Sequence, residues 1–258
     1  MDDFTRMCLL AAMVSQDDYA ARGGSRRVTA GGSVGIVLAT GYGPMRTSFE
    51  YLDSVLVNGE PCASPTAFSL SVQNMPAAIL ALNLGISGPC CTVCQLDNPV
   101  LPALLTASCW LEEERADTVL LGAADESTDM IGYGLQRLRA ENADVAVPGQ
   151  GCGVVFLVLQ RPGGRVRPYA VIEEVCTGYG ANHEHAGTVL LQRGEGTAPV
   201  AHASEESPTA WAADISQACQ AIDGCTCPAL PRLPARVLCR TAREVKPEGW
   251  VLLGRAGR

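Results

Sequence analysis

Apolar residues fall in blocks along this chain, and the clearest block runs from Gly88 to Glu126, GPCCTVCQLDNPVLPALLTASCWLEEERADTVLLGAADE. Its pattern predicts a strand over Cys90–Leu96, a sharp turn, an apolar helix from Pro99 to about Glu114, and a strand over Thr118–Ala123. The helix carries Val100, Leu101, Leu104, Leu105, Trp110 and Leu111 with Ala103 and Ala107 between them. Apolar positions around most of a helix's circumference place it inside a fold rather than on its surface. Asp97, Asn98 and Pro99 mark its start, since Asp or Asn at a cap and Pro in the first turn suit the end where free N–H groups and the helix dipole favour a carboxylate. A cysteine at such a turn would be a nucleophile of lowered pKa; this chain has Asp97 there.

The remaining blocks fill in the frame. Phe4–Val14 reads as a short amphipathic segment, followed by a polar loop with Arg22, Arg26 and Arg27. Ser33–Thr40 is a buried-strand pattern that ends in the turn Gly41-Tyr42-Gly43-Pro44. Met45–Val57 has helical spacing at Phe49, Leu52, Val55 and Leu56; Asn58–Ser64 is a loop. Phe68–Leu84 reads as a second helix, stopped by Gly85. From Glu126 to Asp144 the chain is charged and loop-like. Gly149–Gly153 then introduces the apolar strand Val154–Gln160, and Arg167–Thr177 reads as its hairpin partner across Pro162-Gly163-Gly164. Beyond Gly178 the signals weaken to short strands at Gly187–Gln192 and Trp250–Leu253, a helix at Ala210–Ile222 and a Pro-rich connector, CTCPALPRLP. No internal repeat is visible. Strands alternating with helices around a central buried helix predict a layered α/β fold.

Composition narrows the function. With 258 residues, 47% hydrophobic and 18% charged, the chain has ample material for a core. A net charge of −8 disfavours nucleic acid, which needs a positive footprint, and an acidic carrier protein would be repelled by most of the surface. No apolar run reaches the roughly 18 residues of a membrane span. The N-terminus MDDFTRMCLLAAMVSQDD lacks the basic start of a signal peptide, so a cytoplasmic location is expected. Twelve cysteines are many. In a chain of this length with no export signal they read as small buried hydrophobes rather than a disulfide framework. A zinc site from Cys91, Cys94, Cys225 and Cys227 is an alternative of weak spacing, so no metal and no cofactor are expected.

Four motifs, in order, carry a family resemblance. Ser64-Pro65 followed by Asn74-Met75, Leu84-Gly85-Ile86-Ser87-Gly88-Pro89 leading into the strand, Ala116-Asp117-Thr118 to Ala123-Ala124, and the loop DVAVPGQGCG from Asp144 to Gly153 resemble the N-terminal half of the β-ketoacyl synthases, the condensing enzymes of thiolase fold. The resemblance covers about residues 30–180 of what is expected to be one domain, leaving about 181–258 as a divergent remainder in a truncated second half. Counting from Gly88-Pro89 and back from Ala116-Asp117 puts Asp97 at the position of the family's acyl-accepting cysteine, with Cys94 three residues early. The family's two histidines are expected in a second half; here only His183, His185 and His202 occur, none in that context.

The chemistry then argues against catalysis. Decarboxylative condensation needs a thiolate to hold the acyl chain and N–H donors to stabilise the enolate; a carboxylate would give a labile anhydride. The short length, the segment SPTAFSLSVQN and Asp97 together resemble the ketosynthase-like proteins found beside aryl-polyene synthases, which are similar to chain-length factors of type II polyketide systems. That resemblance implies a heterodimer with an active ketosynthase. The strand Cys90–Leu96 would add to its counterpart, with Cys94, Gln95, Asp97 and Asn98 at the seam, while Thr66, Ala67 and Phe68 reach the partner's tunnel. Carrier protein would be met only through that partner. For Phe68, packing inside its own domain is the alternative. Two other functions stay open: an acyltransferase or thioesterase using Cys94, Cys91 or the pair His183 and His185, and a zinc-binding structural protein.

Overall fold

The computed structural model describes residues 1–25, 28, 33–96, 98–141, 152–161, 166–178, 189–192, 236–241 and 248–254. Its centre is β1 (Val34–Thr40), every residue of which is buried. Parallel strands flank it, β2 (Cys90–Cys94) on one side and β3 (Thr118–Asp125) on the other, and β4 (Gly153–Gln160) runs antiparallel to β3. The sheet order is therefore β2-β1-β3-β4, with β2 at an edge.

Helices cover both faces. On one lies α5 (Val100–Glu112), whose Val100, Leu101, Ala103, Leu104, Ala107, Trp110 and Leu111 are buried against Val37, Ala39, Val119 and Leu121. On the other lie α1 (Asp3–Ala21) and α4 (Met75–Leu84), which bring Phe4, Cys8, Ala12, Ala77 and Leu80 onto Ile36, Leu38 and Leu120. A second sheet of order β5-β8-β7-β6 is built from β5 (Val171–Gly178), β6 (Val189–Gln192), β7 (Arg236–Thr241) and β8 (Glu248–Gly254). Ile172 and Val175 of its first strand, with Ala170 just before it, pack on the α5 cluster. The expected central helix is thus sandwiched between two sheets, in a layered α/β fold.

Several elements differ from the sequence expectation. α1 is 19 residues long, not the short segment Phe4–Val14; Asp2 caps it by accepting from Thr5 N at 2.7 Å. The single helix expected over Phe68–Leu84 is two, α3 (Pro65–Ser71) and α4, bent by 90° at Val72-Gln73-Asn74. Ser64 caps the first through Ala67 N, and Gly85, in the left-handed conformation at φ 68°, ends the second as expected. α2 (Met45–Asn58) agrees with its spacing, and the loop after it holds one 3₁₀ turn, Glu60–Cys62. The stretch read as loop after Glu126 contains α6 (Asp129–Glu141), started by Thr128, whose hydroxyl accepts from Ile131 N at 3.2 Å. β5 is not the hairpin partner of β4: it pairs antiparallel with β8 in the other sheet. β7 was not expected at all. The helix at Ala210–Ile222 and the connector lie outside the described residues, as do His183, His185, His202, Cys225 and Cys227. Among the described residues no group could hold a metal ion, and no single helix is long and apolar enough to cross a membrane.

Candidate functional site

The carboxyl ends of β1, β2 and β3 converge on the start of α5. Asp125, the last residue of β3, is fully buried. Its Oδ1 accepts from Thr40 Oγ1, Gly41 N and Tyr42 N, each at 2.9 Å, and Gly43 N donates to Thr40 Oγ1 at 2.8 Å. A buried carboxylate is tolerable only with such donors around it. Here it fixes the turn that follows β1. The end of β2 is tied to the same turn: Gln95 N donates to Thr40 O at 3.1 Å, and the Cys94 thiol points at Gly41 O at 3.9 Å.

Neither nearby thiol is activated. Burial, reinforced by the Asp125 charge, pushes the Cys94 thiol up from its ordinary value. Burial, with Asp2 and Asp125 adding to it, pushes Cys8 up to about 12. A nucleophilic thiol needs the opposite, a cationic or dipolar neighbour that favours the thiolate. Cys90 and Cys91 are raised by burial as well.

The start of α5 differs from the expected cap. Pro99 holds the N-cap position and, among the described residues, no side chain caps the helix; Asn98 precedes it with φ 55°. The Asn98 backbone is left-handed at this point, and its Oδ1 is buried without a hydrogen-bond partner. Asn tolerates that conformation better than most residues. Asp97 lies outside the described residues.

The expected site residues fall in two groups. Cys94, Gln95 and Asn98 sit at the convergence just described. Thr66, Ala67 and Phe68 stand on α3, which packs on α4, and α4 in turn packs on β2. Phe68 is 54% exposed, its ring tilted against Tyr51 with centroids 5.3 Å apart, so it does not pack into its own domain's core. α3 buries no residue, and α2 buries only Thr47. Asp125 went unnoticed in the sequence; an acidic residue closing the apolar run TVLLGAAD was the available signal.

Residues 22–143, a little under half the chain, match the family described as beta-ketoacyl synthase, N-terminal domain. The chain is β-ketoacyl synthase-like. It is 24% identical over 137 residues to the chloroplastic 3-oxoacyl-acyl-carrier-protein synthase I of Arabidopsis thaliana, a match covering 52% of this chain and 28% of that relative. The aligned stretch thus spans little more than a quarter of the relative's length. Among solved structures, the ketosynthase-like fold superposes on a type II polyketide acyl-carrier protein complex with its ketosynthase at a TM-score of 0.74 and 12% identity, covering 99% of this chain and 84% of that one. The ishigamide ketosynthase/chain length factor gives 0.61 and 19%, covering 100% and 82%. A ketosynthase in complex with its chain length factor from Xenorhabdus doucetiae gives 0.57 and 12%, covering 99% and 78%. At these identities the structural likeness speaks for the thiolase-like fold.

Proposed function

We propose that this chain is a non-catalytic, chain-length-factor-like subunit that pairs with an active β-ketoacyl synthase and shapes its acyl tunnel, in biosynthesis of the polyene, polyketide or fatty-acid type. The observation that carries the reading is β2. It is an edge strand among the described residues, half exposed along its length, and it presents apolar side chains and unpaired backbone groups. Such an edge invites a second chain. Similarity to the ishigamide ketosynthase/chain length factor and to a ketosynthase in complex with its chain length factor supports the choice of partner.

Three features support the absence of catalysis. Asp97 stands where counting along the motifs puts the family's nucleophile. The thiol of Cys94, three residues earlier in the sequence, is pushed up by burial and by the Asp125 charge, away from the thiolate. The three histidines of the sequence, His183, His185 and His202, stand in none of the family's motif contexts, so none is the recognisable base of an acyl transfer. Exposed Phe68 on α3, a helix with no buried residue, supports the reach of Thr66, Ala67 and Phe68 into a partner.

Co-expression with a cysteine-bearing ketosynthase tests the whole reading. A one-to-one complex is expected, and after incubation with an acyl-thioester, mass spectrometry finds the acyl group on the ketosynthase alone. A stable acyl adduct on a cysteine of this chain, or failure to form the complex, overturns it.

A further inference from the structure

α1 is apolar on two opposite faces. Phe4, Thr5, Cys8 and Ala12 turn inward and are buried. Leu10, Met13 and Val14 turn outward and are 64%, 50% and 67% exposed. At about 100° per residue the outward set lies diametrically opposite the inward one, so packing on the sheet does not account for it. A single exposed apolar residue is ordinary; three on one stripe are a surface that something can cover.

The spacing is that of a helix seam. Arg6, Leu10, Met13 and Asp17 follow one another at intervals of four, three and four. That is the rhythm by which the side chains of two helices interlock. The series reads the same in both directions. A second copy laid antiparallel, about an axis between Ala11 and Ala12, sets Leu10 opposite Met13 twice and Arg6 opposite Asp17 twice. Each knob of such a pair needs a hole made by four residues of the facing helix. Met7, Leu10, Ala11 and Val14 make one, and with Val154 of β4 they line an open groove of about 550 Å³. Met13 of the second copy falls at the level of that groove, and an unbranched Met adapts to an irregular hole.

Charge selects the occupant and its direction. From Pro61 to Leu96 the chain has no charged residue, whereas α1 carries a cation at one end of its seam and an anion at the other. A parallel copy would set Arg6 on Arg6 and Asp17 on Asp17; only the reversed copy pairs opposite charges. Arg6 Nη1 meets Asp3 Oδ1 of its own chain at 3.1 Å in an exposed pair, which leaves further guanidinium N–H groups for a second carboxylate. A lipid surface wants Lys and Arg beside the apolar stripe, and Asp3 and Asp17 stand there.

We propose that α1 is a self-association surface: two copies of this chain join through antiparallel α1 helices, with Leu10 and Met13 interlocked at the centre and an Arg6–Asp17 ion pair at each end. α1 packs on β4 and α4, and β2 lies at the other end of the sheet from β4. β2 takes no part, so the inference goes beyond the ketosynthase reading and does not rest on it.

The test uses the full chain under reductant, in sedimentation velocity across a dilution series. The wild type is expected to pass from dimer to monomer on dilution. Leu10→Glu is expected to be monomeric throughout, with the circular dichroism and thermal midpoint of the wild type, because the position is exposed. Arg6→Asp alone and Asp17→Arg alone are each expected to weaken the dimer about tenfold, since each sets like charges together at both ends. Both changes in one chain, or the two single variants mixed, restore it. A wild type that is monomeric at every concentration overturns the proposal. So does a dimer that Leu10→Glu leaves intact, or a double reversal no tighter than either single one. A ketosynthase pull-down separates this from the earlier reading: Leu10→Glu is expected to behave there as the wild type does, and a loss of ketosynthase binding in that variant alone would give α1 to the ketosynthase contact and overturn the proposal.

Discussion

Glu126 follows Asp125 out of β3 and shows how a half-buried carboxyl couples the fold to pH. Its Oε1 accepts from Arg46 N at 2.6 Å, yet burial outweighs that bond and the Arg46 charge and holds its pKa above the ordinary 4.5. A carboxyl raised in the folded state binds protons more tightly there than in the unfolded chain, so stability falls as pH rises through the window above 4.5. Glu126→Gln keeps an acceptor for Arg46 N and removes the titration. It is expected to raise stability at neutral pH by up to about 0.5 kcal/mol, the scale of a partly exposed site, with no gain in acid. Denaturant melts at the two pH values check it; an equal effect at both would contradict the assignment. Residues of this kind divide sharply in how far the sequence discloses them. Asp97 could be given its proposed position by counting between two motifs. Asp125 could not, because its role depends on a turn 85 residues earlier in the chain.

Elements with one dominant physical reason were legible. β1, β3 and α5 are continuous apolar runs because both of their faces are covered, and their bounds came out within a few residues. α6 was hidden because its apolar anchors are few, Ile131 and Leu135, and Gly132 and Gly134 weaken the helical signal. The partner of β5 was hidden for a different reason. A hairpin and a long-range pairing give the same local alternation, and only the packing of Ala170 and Ile172 on α5 takes the strand to the second sheet. β2 hangs on the close approach of Gly88 to β1: a Cβ there would drive into the carbonyl oxygen of Val34. Gly88→Ala is therefore expected to shift β2 off β1 at a cost of roughly 2–4 kcal/mol. Hydrogen exchange checks it, with protection lost first at Ile36 and Gln95, whose amides bond across that seam.

At the scale of the molecule, the acidic charge and the proposed associating face are separate. The tract from Pro61 to Leu96 offers no ion pair to a partner, so salt has nothing there to screen, while it does screen repulsion between acidic bodies. Raising the salt from about 0.05 to about 0.5 M is expected to leave the affinity for a ketosynthase unchanged or improve it. Isothermal titration at the two concentrations decides this, and a marked loss of affinity at high salt would place the contact elsewhere.

The first helix carries a consequence for where this domain can be cut. Residues 3–21 precede the segment that matches the synthase family, yet Phe4, Cys8 and Ala12 complete the core on that face of the sheet. Arg22 fastens the helix end to the approach to β5, lying over the Tyr169 ring at 3.5 Å, while Tyr169 donates to Asp18 at 2.7 Å. A fragment trimmed to the alignment would keep α4 but lose the α1 part of the cover over Ile36, Leu38 and Leu120, so sequence homology draws the border of this unit through its own interior.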